Sequence, residues 1–191
     1  MLAELTHNGT ARNGSSWSSL ARHALAFVTA MFNQTAGYFY TGTLGDQITF
    51  NPSPIPEDCQ TWSYLALLDN RYKQTIDWAL TNLQTTDTAS ATDSSLTGTE
   101  TVTGMVFDTA SLTTTAFDPN AVWLEGTAHT VAALVARAVV GRDSLPVLFK
   151  DLNTAFGFLN QSQKAQASWG QDRRSTASSF RWVRVCSLRR A

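Results

Sequence analysis

Asp118-Pro119-Asn120-Ala121-Val122-Trp123-Leu124-Glu125-Gly126-Thr127-Ala128-His129-Thr130, continuing as Val131-Ala132-Ala133-Leu134-Val135-Ala136-Arg137-Ala138-Val139-Val140 to Gly141, is the stretch on which the reading of this chain turns. Asp followed by Pro has the form of an N-cap and a first-turn proline, because a cap needs a side-chain acceptor and the first turn has no use for the missing N–H. A helix is therefore expected over residues 120–140, ended by Gly141. From Thr130 onward its residues are apolar nearly all round, which predicts a buried helix. Glu125, His129 and Arg137 interrupt the run, so no membrane span is expected.

Working outward, the periodicity predicts four more helices. Leu20, Ala24, Phe27, Val28 and Met31 form one stripe within residues 16–32. Gly37-Tyr38-Phe39-Tyr40-Thr41-Gly42 then reads as an extended aromatic segment, and Pro52, Pro54 and Pro56 exclude regular helix until about residue 56. A second helix opens at Pro56-Glu57-Asp58, where acidic side chains meet the positive helix end, and carries Trp62, Leu65, Ala66 and Leu68. The next has its stripe at Tyr72, Ile76, Ala79, Leu80 and Leu83. Residues 85–115 hold 16 Ser or Thr in 31 positions and read as loop with short β pieces, best at Gly104-Met105-Val106-Phe107. The last helix spans residues 144–160, with Leu145, Leu148, Phe149, Leu152, Ala155, Phe156 and Leu159 on one side.

The 191 residues suffice for one domain with a core, and the 15% charged content is low against the roughly 25% usual in soluble proteins. That balance suits a secreted or periplasmic glycan-handling protein, although no signal peptide is visible. The net charge of −1 conceals a split: residues 171–191 carry +5 and the preceding residues −6. The basic tail, with Phe180 and Trp182, reads as a nucleic-acid patch, an anionic-membrane patch or, most simply, a foreign terminus. The residues upstream of the tail are net acidic and form no basic run, so no nucleic-acid partner is expected. Cys59 and Cys186 do not make a disulfide framework. The organisation expected is an arm (1–15), a helical domain (16–170) and the tail (171–191).

A weak repeat of helix, polar stretch and Gly-aromatic segment runs through Phe32-Asn33-Gln34-Thr35 to Gly37-Tyr38, Leu83 to Gly104, and Leu159-Asn160-Gln161-Ser162 to Trp169-Gly170. Two openings carry a resemblance. Pro56-Glu57-Asp58-Cys59-Gln60-Thr61-Trp62 resembles the Pro-x-Asp-x-Gln-x-Trp helix start of six-hairpin glycosidase-like proteins, and Trp123-Leu124-Glu125-Gly126-Thr127-Ala128 resembles their Trp-x-Glu-Gly-Thr-Ala start. Over residues 20–170 the resemblance implies an all-α (α/α) toroid of helical hairpins, with short β segments in its loops and a sugar cleft at the inner-helix starts. A closed ring needs roughly twice this length, so an incomplete ring is expected, whose open edge favours self-association.

The residues point to the same places. A carboxyl in an early turn of a buried helix, beside an indole, has its proton held more tightly and serves as a general acid. Glu125 and Asp58 are the candidates for catalysis, and ordinary first-turn stabilisation is the plain alternative for each. Trp123, Trp62, Tyr38 and Tyr40 offer faces for sugar rings or for the core. Gln60 and Thr127 would bond hydroxyls or cap helices. His129 shares a helix face with Glu125; a satisfied core histidine is its simplest reading, and no third ligand gives it metal spacing. Asp108 and Asp118 are weaker candidates. The substrate expected is an oligosaccharide or polysaccharide, without cofactor or metal. The reaction expected is glycoside hydrolysis; the alternatives are a non-catalytic glycan-binding or structural toroid fragment, or a lyase using Tyr38 or His129 as base.

Overall fold

The structure, a computed structural model, describes residues 16–91, 94, 96–115, 118–140 and 145–175. The chain is mostly helical with a few short strands. In order these are α1 (Trp17–Ala30), β1 (Phe32–Asn33), β2 (Tyr38–Phe39), α2 (Glu57–Leu67), α3 (Gln74–Asn82), β3 (Gln84–Thr88), β4 (Thr101–Met105), α4 (Leu124–Val140) and α5 (Leu145–Ser175). The strands form two antiparallel hairpins, with Phe32 opposite Phe39 in one and Gln84 opposite Met105 in the other. Among the described residues no helix is long and apolar enough to cross a membrane.

The core joins Phe39 from β2, Tyr64 from α2, Ile76 and Ala79 from α3, Met105 from β4, Leu134 from α4 and Phe158 from α5. The stripe expected there packs largely as its spacing requires: Ile76 and Ala79 of α3, Tyr72 in the short 3-10 turn before it and Leu83 just past its end are buried, and Leu80 is half-buried. Arg137 locks three helices together. Its guanidinium makes a two-pronged pair with Asp151 of α5 (2.6 and 2.7 Å), meets Asp77 of α3 at 3.0 Å and donates to the Lys73 carbonyl at 3.1 Å. A buried fork of this kind fixes geometry because every donor has one place to go.

Several expectations are corrected. α4 begins at Leu124 rather than residue 120, because Asp118 is spent on a turn, accepting from the Asn120 N–H at 2.8 Å. Nor is α4 buried all round: Thr130, Ala133, Leu134, Arg137 and Ala138 face the core, while Val139 is 75% exposed. α2, α5 and β4 cover one side and leave the other to water. α1 contributes no buried residue; of its stripe only Val28 reaches the core edge, and Met31 is buried just past its end. In α2 the buried face is Glu57, Gln60, Thr61 and Tyr64, whereas Trp62 and Leu68 face out. The helix expected to end at residue 160 runs to Ser175, so the third repeat unit is absent and the tail's first residues are helical. The arm (1–15), Gly141, Phe180, Trp182, Cys186 and the rest of the tail from 176 lie outside the described residues.

Candidate functional site

The site is organised by Met105, the last residue of β4, and the four residues that follow it. The Trp123 N–H donates to the Met105 carbonyl at 2.7 Å, and the Glu57 N–H donates to the Phe107 carbonyl at 2.9 Å. Pro56 pairs with Asp108, and the Thr109 N–H donates to the Ile55 carbonyl at 3.1 Å. The starts of α2 and α4 thus hang from carbonyls two residues apart on one strand extension. Successive strand residues are about 3.3 Å apart, so the two helix openings lie side by side.

Both sequence motifs now have a mechanical explanation. The Thr127 hydroxyl accepts from the Met105 N–H at 2.9 Å and donates to the Trp123 carbonyl at 2.8 Å. Gly126 lets the Trp123 indole lie across the first turn, since a Cβ there would fall inside the ring. Gly104 admits Val122 and Thr127, whose atoms lie 2.5 and 2.6 Å from where its Cβ would be. Gln60 acts as a surrogate strand for Phe39: its Oε1 accepts from the Phe39 N–H at 2.7 Å, while its Nε2 donates to the Phe39 carbonyl and to the Pro56 carbonyl, both at 3.0 Å. Gln60 and Thr127 are buried and committed to the frame, which corrects their expected role as sugar contacts.

Between the openings stands Glu57, with 0% of its surface exposed. Its Oε1 accepts from the Thr130 hydroxyl at 2.6 Å. Its Oε2 has no hydrogen-bond donor and lies 3.9 Å from Nδ1 of His129, itself buried and unbonded. Burial, with a smaller push from the neighbouring Asp58, raises the Glu57 carboxyl to about 7 against the pull of the Thr130 and Thr61 hydroxyls. Taking a carboxylate out of water disfavours its charged form, so at neutral pH Glu57 is balanced between its two states.

His129 lies beside this carboxyl with its side chain 20% exposed. Its ring meets Trp62 edge-on at 5.2 Å and Trp123 at 5.8 Å, and Trp123 in turn meets Phe107 at 5.0 Å. Trp62 is 59% and Phe107 42% exposed, so the imidazole is set in an aromatic rim open to solvent.

The structure gathers Trp62, Trp123 and His129 at one place, with Asp58 one helical turn before Trp62 and Glu125 one turn before His129. Glu125 is exposed, and the desolvation expected of it falls on Glu57 instead. Tyr38 and Tyr40 belong to a different ring cluster. Tyr38 packs on Trp78 at 4.9 Å and Tyr40 stacks on Phe50 at 5.1 Å, while the Tyr40 oxygen accepts from Asn33. Partial burial, then Tyr40, holds the Tyr38 proton more tightly than usual. Asp108 accepts from the Ser111 N–H and hydroxyl, both at 2.8 Å, as a turn former. Cys59 is a free thiol pushed up to about 12 by burial, then by Asp58.

No protein-family model matches the chain, and neither the curated proteins nor the solved structures include a match.

Proposed function

We propose that this chain is an arc of an (α/α) helical-hairpin toroid of the six-hairpin glycosidase-like kind, and that it acts on carbohydrate as a glycoside hydrolase. The observation that carries the reading is the Glu57–His129 pair beneath the Trp62 and Trp123 rim, where two helix openings meet. Aromatic faces beside a buried carboxyl and a partly exposed imidazole suit a sugar, whose ring presents apolar C–H faces and polar edges. In this reading His129 is the group that meets the glycosidic oxygen and gives it a proton, and Glu57 is a positioning residue that resupplies the imidazole. Hydrolysis also needs a carboxylate to activate water or trap the sugar cation. Glu125 and Asp58, on the two openings, are the candidates for it.

The same pairing favours one further reading. An imidazole with a carboxyl behind it is also a base, and on a uronic acid polymer it would abstract a proton and leave an unsaturated sugar. Incubating the protein with oligosaccharides, uronic acid polymers and aryl glycosides separates the readings. New reducing ends without ultraviolet absorbance indicate the hydrolase, and an absorbing unsaturated product indicates the lyase. Saturable sugar binding without product, lost in Trp62→Ala and Trp123→Ala, would reduce the site to glycan binding. Self-association through the exposed α5 stripe of Leu145, Phe149, Phe156 and Leu159 accompanies the open-arc reading, and a monomeric mass by light scattering would remove it.

A further inference from the structure

Two further carboxyls, Asp87 and Asp118, lie where β3 meets the lead-in of α4. Thr85 and Asp87 are two apart on β3 and share its inner face, both buried. Against that face lies the turn leading into α4. The Thr85 hydroxyl lies 3.4 Å from the Asn120 side-chain oxygen, and Asp118 is clasped to the same residue through the Asn120 N–H at 2.8 Å. The Thr85–Asn120 contact thereby brings the turn that carries Asp118 against the strand face that carries Asp87. Burial first, and then the Asp118 charge, holds the Asp87 proton more tightly, against the Ser94 hydroxyl and the Thr88 N–H, which donate to its carboxylate.

Hydrogen bonding leaves both carboxyls incompletely satisfied. Asp87 is only 7% exposed, and its Oδ1 is buried without a donor. Oδ2 of Asp118 is likewise buried without a donor. The strand positions opposite Thr85 and Asp87 are Gly104 and Val102, which bring neither donor nor cation. Two buried carboxylate oxygens without a donor are costly unless a positive charge lies near them.

We propose that Asp87 and Asp118 are the anionic ligands of a divalent-cation site suited to calcium. The Asn120 side-chain oxygen and the Thr85 and Ser94 hydroxyls supply neutral oxygens around it. Calcium takes six to eight oxygens in flexible geometry, whereas magnesium demands a near-ideal octahedron that a strand face and a turn do not offer. A cation held here would tie the lead-in of α4 to β3 and so fix Trp123, whose N–H is bonded to the same hairpin.

The test uses the full chain freed of metal by chelation. Calorimetric titration with calcium, terbium luminescence and thermal unfolding with and without millimolar calcium are the readouts. One saturable binding event and a melting temperature raised by several degrees are expected. Asp87→Asn and Asp118→Asn should each weaken binding more than roughly tenfold. Asp118 sits on a half-exposed turn, so its variant keeps the test open should Asp87→Asn fail to fold by circular dichroism. The absence of saturable calcium binding, or binding that survives in a folded Asp118→Asn variant, would overturn the proposal.

Discussion

Replacing Glu57 with Gln isolates the cost of its charge. The amide keeps the shape of the carboxyl, so its oxygen still accepts from Thr130 while its NH2 is available to the unbonded Nδ1 of His129. In the folded wild type the carboxyl titrates at about 7, against 4.5 for the unperturbed group. Below the lower value both folded and unfolded chains are protonated, and the favourable contribution is fully present. Between the two values only the folded chain keeps the proton, so stability falls as pH rises. Above about 7 both states are ionised and the contribution is lost. At about 1.4 kcal/mol per pKa unit, the loss between pH 4.5 and 8 is about 3 kcal/mol. That is a large share of the 5–15 kcal/mol that holds a typical domain together. Urea unfolding across this range should show the decline in the wild type and a much flatter profile in Glu57→Gln, with the variant the more stable protein at pH 8. Parallel profiles for the two proteins would refute the assignment of a desolvated, proton-holding Glu57.

Three further outcomes follow from the frame around the site. Gly104→Ala places a methyl group 2.5 Å from Val122 and 2.6 Å from Thr127, and should cost about 1–3 kcal/mol by urea unfolding. Arg137→Ala strands the buried Asp151 carboxylate and should cost about 3–5 kcal/mol. Adding Asp151→Ala to that variant should recover part of the loss, and strict additivity would mean that the two do not act as a pair. Glu125→Gln alters an exposed side chain and should change stability by less than about 0.5 kcal/mol, so lost turnover in that variant would reflect chemistry rather than folding.

How much was legible in the sequence depended on whether burial followed hydrophobicity. The α3 stripe did, and Tyr72, Ile76, Ala79 and Leu83 lie where their spacing puts them. The two helix openings were legible as motifs, and Gly126 and Thr127 show what each residue does there: one makes room for an indole and the other ties the turn to a strand. α2 was misread because its buried face is polar. Glu57, Gln60 and Thr61 are inside, satisfied wholly or in part by partners far away in sequence such as Phe39 and Thr130, and no helical periodicity of apolar residues reports that. The visible cue was limited to the i, i+3, i+4, i+7 spacing of Glu57, Gln60, Thr61 and Tyr64. Asp58, one position away, carries the same acidic signal but is only half-buried. α5 was cut short because its polar residues beyond Leu159 resemble a loop, yet the backbone continues unbroken to Ser175.

The most direct test of the central claim is the pH profile of turnover on the oligosaccharide that gives the highest activity in a broad panel, measured for the wild type, Glu57→Gln and His129→Asn. The account predicts product release by the wild type with a titration near pH 7, loss of that titration in Glu57→Gln, and loss of turnover in a folded His129→Asn. A wild type that releases no sugar product from any substrate, or a His129→Asn variant as active as the wild type, would contradict it.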